Sequence, residues 1–115
     1  MLKHITIEGV RNLAHTQVTL SAGATVLCGA NGSGKTSFLE AIYLLGVGRS
    51  FRTHQSKPVI QHGMAHCRVV GEVQRGGRTT VMGLEKHRDG GVKARVGGEN
   101  VPSLSELALH LPLVL

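Results

Sequence analysis

Hydrophobic and polar positions alternate from the start of the chain. In residues 2–10 (LKHITIEGV), Ile5 and Ile7 fall on one side and His4, Thr6 and Glu8 on the other, which is the period of a half-buried strand. Residues 16–20 alternate again, with Val18 and Leu20 inward, and Ser21-Ala22-Gly23 then supplies a turn. Residues 24–28 (ATVLC) are apolar apart from one Thr, as expected of a strand buried on both faces. Residues 35–45 (KTSFLEAIYLL) switch to helical spacing, placing Phe38, Leu39, Ile42 and Leu45 on one face, and Gly46 and Gly48 end the helix. A long polar and basic connection, 46–63, carries one apolar piece at Val59-Ile60. Three further strands are predicted at 67–74, 79–85 and 92–96, joined by the turn signals Arg75-Gly76-Gly77-Arg78 and Arg88-Asp89-Gly90-Gly91. They read as an antiparallel meander over 66–97. Ser103-Leu104-Ser105-Glu106 has the form of a capping box opening a short helix at 107–110, which Pro112 stops.

Between the buried strand and the helix lies Gly29-Ala30-Asn31-Gly32-Ser33-Gly34-Lys35-Thr36, a match to GxxxxGK[ST] at every fixed position. Chance matches over a chain of this composition are on the order of one per cent, before the strand and helix on either side are considered. The residue types follow from phosphate chemistry. Glycines 29, 32 and 34 tolerate positive φ and bring no Cβ, so successive backbone N–H groups can turn toward phosphate oxygens. A helix opening at the loop's end adds its unsatisfied N–H groups and positive dipole end. Lys35 has the reach to meet the β- and γ-phosphates, and the Thr36 hydroxyl is placed to ligate Mg²⁺. Residues 24–46 therefore form a strand, phosphate loop and helix unit that binds nucleoside triphosphate.

Hydrolysis asks for more. A second carboxylate on a strand must orient the metal, yet the single aspartate, Asp89, lies in a turn signal and no apolar run ends in Asp or Asp-Glu. The chain alone is expected to bind nucleotide without turning it over. Its apolar end, Leu113-Val114-Leu115, stops where a buried strand would continue, so residues 1–115 read as the N-terminal part of a longer protein.

Composition narrows the class further. Apolar residues are 41% and charged residues 17%, with three aromatics and no Trp, so the core rests on Val, Leu, Ile and Ala. The longest charge-free apolar run, 107–115, falls well below the roughly 20 residues of a membrane-spanning helix. Early polar residues exclude a signal peptide. Cys28 and Cys67 form neither a disulfide framework nor a zinc pattern, and Cys28 reads as a small apolar packing residue. His62, His66 and Cys67 cluster in sequence, but Gly63 and the strand that follows argue against a metal-binding helix. A cytoplasmic location is expected.

The net charge of +6 is unevenly placed. Residues 49–95 hold ten Lys/Arg against three acids, or +7, while the flanking segments carry +1 and −2. Such a block suits a polyanion such as DNA. The alternative is a solvated strand face, since Arg68, Arg75, Arg78, Lys86, Arg88, Lys93 and Arg95 lie in or near hairpins. Glu40 and Arg49 read as surface residues.

With these residues in view, the strand ending in Arg11-Asn12, the loop and helix GANGSGKTSFLEAIYLLG, and Gly48-Arg49-Ser50-Phe51-Arg52 resemble the RecF family of SMC-like ABC ATPases from bacterial recombination and repair. LEAIYLLGVGRSFR carries the resemblance more specifically than the loop does. It implies a P-loop NTPase head of mixed sheet, with the second acidic motif and the signature sequence beyond Leu115, and a weak DNA-dependent ATPase as the whole protein. It further implies ATP and Mg²⁺ as cofactors, ATP-dependent homodimerisation, binding of single-stranded or gapped DNA, and RecA loading with RecO and RecR during repair and the SOS response. Arg11 and Asn12 are then expected near the nucleotide. Arg49 and Arg52, with the turn residues Arg75, Arg78 and Arg88, are candidates for DNA phosphate. Val114 stands where the family would place a glutamine that contacts metal and water. Competing readings are an ABC transporter subunit, a GTPase and a non-catalytic basic nucleic-acid-binding module; no aromatic precedes the loop to stack adenine as transporters do, and no NKxD occurs.

Overall fold

The computed structural model describes residues 2–11, 13–19, 32–47 and 59–101, with the backbone alone at 32–36, 39, 47 and 75. The predicted strand at 24–28, the first half of the phosphate loop, Asn12, Arg49, Arg52 and everything from Pro102 to Val114 and Leu115 lie outside the described residues.

Among the described residues, six strands form one sheet: β1 (Leu2–Val10), β2 (Leu13–Thr19), β3 (His66–Arg75), β4 (Arg78–His87), β5 (Val92–Val96) and β6 (Glu99–Asn100). Their order across the sheet is β2-β1-β3-β4-β5-β6, and every pairing among them is antiparallel. The helix α1 (Gly32–Val47) lies against the sheet in the connection between β2 and β3. The arrangement is an α/β head carrying the expected meander, with two refinements. The hairpin β1–β2 is tighter than predicted, for β2 begins at Leu13, which pairs with Val10. A short strand, β6, also follows the meander.

The β3–β4 turn shows why the sequence folds there. Arg75 pairs with Arg78, leaving Gly76 and Gly77 as a two-residue loop with φ of 57° and 79°. Both angles lie in the left-handed region that the tight turn matching strand twist requires and that glycine enters at little cost.

Alternation divides the sheet into two faces. Ile5 and Ile7 of β1, Val69 and Val73 of β3, Met82 and Leu84 of β4 and Ala94 of β5 are buried beneath Phe38, Ala41, Leu44 and Leu45 of α1. Each fully buried Ile or Leu contributes roughly 1.5–3 kcal/mol of transfer free energy. The helix approaches β3 closely at Gly71, where a Cβ would overlap Leu45 Cδ2 and stand 2.9 Å from Leu2 Cδ1. The predicted helix face is rotated: Ala41 and Leu44 are buried and Ile42 is only half-buried. Val59 and Ile60, the apolar piece of the long connection, are buried at the end of β1, with Arg11 N–H donating to Val59 O (2.8 Å) and Gln61 N–H to Gly9 O (2.6 Å).

Candidate functional site

The second half of the phosphate motif is the beginning of α1. The helix starts at Gly32, so Gly32, Ser33, Gly34, Lys35 and Thr36 form its first turn and the start of the next. An α-helix leaves its first four N–H groups without intrahelical partners. No acidic side chain occupies that turn to neutralise the positive end of the dipole. The start of α1 therefore presents free N–H groups and the positive end of its dipole at the motif.

Arg11 braces that helix against the sheet. It occupies the turn between β1 and β2 with φ of 52°, unusual for a residue with a side chain. Its Nε donates to Glu40 Oε1 at 2.7 Å and its Nη2 to Glu40 Oε2 at 3.0 Å, a two-pronged ion pair. Glu40 is 0% exposed. The surface reading of this residue is therefore corrected: Glu40 stands four positions before Leu44 and shares its sheet-facing side. Hydrogen bonding to Glu40 raises the Arg11 pKa further above its already high ordinary value, outweighing desolvation. Glu40 lies eight residues beyond Gly32, about 12 Å along the helix. Arg11 thus fixes the direction of α1 and with it the aim of the helix start, while its guanidinium is held by Glu40.

A second charged residue enters the same interior. Lys86 is 4% exposed and follows Met82 and Leu84 on the inner face of β4, opposite Cys67 in β3. Its predicted place on a solvated strand face is corrected by this alternation. Burial pushes the Lys86 ammonium below its ordinary pKa, and the neighbouring Cys67 opposes that shift only in part. Burial likewise pushes the Cys67 thiol up. His66 projects to the opposite face, beside His87 with ring centroids 5.4 Å apart, so His66 and Cys67 diverge. Among the described residues no three His, Cys, Asp or Glu side chains are grouped to hold a metal ion.

The outer face is charged and solvated. Arg68 reaches Glu85 at 2.7 Å and Glu8 at 3.6 Å, and His87 Nε2 lies 2.6 Å from Glu85 Oε1. Partial burial tends to raise the Glu85 pKa, but hydrogen bonds from Arg68 and His87 prevail and hold it below the usual carboxylate range. Lys93 and Arg95 project from β5 on this face, both exposed. Of the predicted DNA-contacting arginines, the three among the described residues are not brought together. Arg75 and Arg78 occupy the β3–β4 turn, while Arg88 follows the far end of β4, roughly 30 Å away along the strand. Arg88 donates through Nε to Met64 O (2.9 Å) and through Nη2 to Gln61 O (3.0 Å), tying down the 61–64 turn. Asp89 accepts from Gly91 N–H at 2.9 Å, a local turn contact.

This antiparallel sheet with its loop-born helix has counterparts. The sequence profile of the RecF/RecN/SMC N terminal domain matches residues 1–114. The chain belongs to this family. Family relatives include the DNA replication and repair protein RecF of Nitrosococcus oceani, 48% identical over 98% of this chain, and that of Pseudomonas putida strain W619, 46% identical over 99%. The chain spans 31% of the length of each. Among solved members, the recombination mediator protein RecF of the RecFOR pathway, with ATPrS, superposes with a TM-score of 0.85 at 28% identity, covering 93% of this chain and 29% of that one. An SMC head domain from Thermotoga maritima shares the fold, with a TM-score of 0.65 at 18% identity over 92% of this chain and 40% of that one. The family accounts for the P-loop ATPase head architecture, and it is the two relatives that carry the name DNA replication and repair protein. No helix among the described residues is long and apolar enough to cross a membrane.

Proposed function

We infer that the intact protein is a RecF-type repair ATPase that binds ATP through residues 29–36 and, with ATP bound, holds single-stranded or gapped DNA. One observation carries the reading: in a member of this family, α1 begins at Gly32, inside the phosphate motif, with its free N–H groups at the motif and no acidic residue to compete. In this reading Gly29, Ala30, Asn31, Gly32, Ser33 and Gly34 cradle the phosphates with backbone N–H groups, and Lys35 supplies a point charge. The Thr36 hydroxyl would hold Mg²⁺, which neutralises phosphate charge when bound. Arg11, which is braced on Glu40, and Asn12 are the residues that the family resemblance expects near the nucleotide.

The RecF relative solved with ATP, at 27% identity and a TM-score of 0.82, supports the cofactor. The pathway in which it is described supports cooperation with RecO and RecR, and RecA loading in the cytoplasm during repair and the SOS response is what the family resemblance adds to the reading. Dimerisation driven by ATP, described for an SMC ATPase of the same fold, supports a nucleotide-dependent homodimer. The basic segment 49–95, including Arg49, Arg52, Arg75, Arg78 and Arg88, supplies charge for DNA.

Titrating labelled ATP into the intact protein with and without Mg²⁺ tests the reading. Lys35→Ala should weaken binding at least tenfold, about 1.4 kcal/mol. Equal affinity in the variant would remove the nucleotide assignment.

A further inference from the structure

The outer face of the sheet carries a groove that the nucleotide reading does not use. It encloses about 370 Å³ above Val70 and Gly83 and is bordered by Arg68, Glu85, Lys93 and Arg95. The strand register builds it. One row across the sheet reads Glu8, Arg68, Glu85, Lys93, and the next reads Thr6, Val70, Gly83, Arg95, so an apolar, low floor runs beside a charged wall.

Gly83 opens the space, and the fold does not require a glycine there. Its φ is not positive, and an added Cβ would meet only Val69 O and Val70 Cγ2, both at 3.6 Å, an ordinary contact. Glycine in a strand interior weakens the strand and often marks a place where a ligand approaches closely. The charges are also unequal. Arg68 is shared between two carboxylates. Lys93 has no carboxylate partner among the described residues, and Arg95 Nε meets only the neutral Asn100 Oδ1, at 3.0 Å. Two positions apart on one strand, these cations project from the same face about 7 Å from each other, close to the spacing of successive phosphates on an extended nucleic-acid strand.

We propose that this groove binds a single nucleic-acid strand, with successive phosphates at Lys93 and Arg95 and one nucleoside resting on Val70 and Gly83. Its volume lies within the range of sites for small molecules, so one nucleotide fits where a duplex does not. A peptide of glutamate alone would meet the same cations but brings no flat ring to the floor. Binding there is independent of sequence, for the floor offers no base-reading side chain. The inference rests on the DNA-binding reading above and assigns that activity a place away from Arg75, Arg78 and Arg88.

Fluorescence anisotropy with labelled oligo(dT) and the intact protein, across 50 to 200 mM salt, provides the test. Lys93→Gln with Arg95→Gln should lower affinity at least fivefold and reduce the slope of log K against log salt by about 1.4, two phosphates at roughly 0.7 each. Gly83→Val fills the groove without removing charge and should weaken binding while leaving the slope near wild type. ATP affinity, measured in parallel, should be unchanged in both variants and reports that they are folded. Wild-type binding retained in either variant overturns the inference while sparing DNA binding itself. Failure of the wild-type protein to bind oligo(dT) overturns both. Loss of poly-glutamate binding in the double variant, with oligo(dT) binding intact, assigns the face to an acidic protein and overturns the nucleic-acid reading.

Discussion

The two faces of this sheet use charge in opposite ways. On the inner face, Glu40 and Lys86 are withdrawn from water among aliphatic side chains, and Glu40 is matched by the two-pronged guanidinium of Arg11. On the outer face, Glu8, Arg68, Glu85 and His87 form a chain of contacts in solvent, where each pair is worth little on its own. The difference teaches where substitutions will be felt. Inner charges set the geometry of the helix that starts in the phosphate motif, whereas outer charges are available for a partner.

The largest expected effect comes from breaking the inner pair. Arg11→Ala leaves the Glu40 carboxylate buried without its guanidinium and should cost about 3–5 kcal/mol of stability. Arg11→Lys keeps the charge but loses the fork and should cost less. Urea denaturation of the intact protein reads both, and a loss below about 1 kcal/mol for Arg11→Ala would place that pair with the weak surface pairs. Gly71→Val tests the apolar contact between the same helix and sheet. It drives a side chain into Leu45 and Leu2 and should cost about 1–3 kcal/mol by overpacking.

Lys86 gives an effect of opposite sign. Its pKa in the folded protein lies below the ordinary value, so folding disfavours the charged form at neutral pH. Stability should rise with pH through that lowered pKa toward the unfolded value near ~10.4. Lys86→Met should therefore stabilise the protein most at neutral pH, with the gain shrinking as pH rises. A constant gain across pH would show that packing, rather than desolvation, is responsible.

The outer face supplies the smallest effect. The Glu85 pKa is lowered on folding, so its contribution is present above the unfolded value near ~4.3 and disappears as pH falls through the folded one. Glu85→Gln should cost less than about 1 kcal/mol at pH 7, because Arg68 is solvent-screened. The two proteins should converge in thermal melts below the carboxylate range. A larger loss would make the outer network structural and erase the contrast between the faces.

Much of this contrast was legible in the sequence. Alternation located β1 and the meander, and Arg75-Gly76-Gly77-Arg78 placed its hairpin turn. The same alternation, followed from Met82 through Leu84, puts Lys86 inside, but charge argues against burial and hides the pattern. Glu40 was hidden for the same reason, although its spacing from Leu44 is helical. Gly97-Gly98 repeats the turn signal of Gly76-Gly77, but β6 has only two residues and shows no alternation to detect. The outer groove depends on cross-strand register, which brings Val70, Gly83 and Arg95 into one row; no local window of sequence contains it.

The helix aimed by the inner face and the partner surface on the outer face should respond independently to substitution. One calorimetric titration of ATP into wild-type, Lys35→Ala and Lys93→Gln/Arg95→Gln forms of the intact protein tests it directly. Lys35→Ala should bind ATP at least tenfold more weakly, and the outer-face variant should keep wild-type affinity. Unchanged affinity in Lys35→Ala, or an equal loss in the outer-face variant, would contradict it.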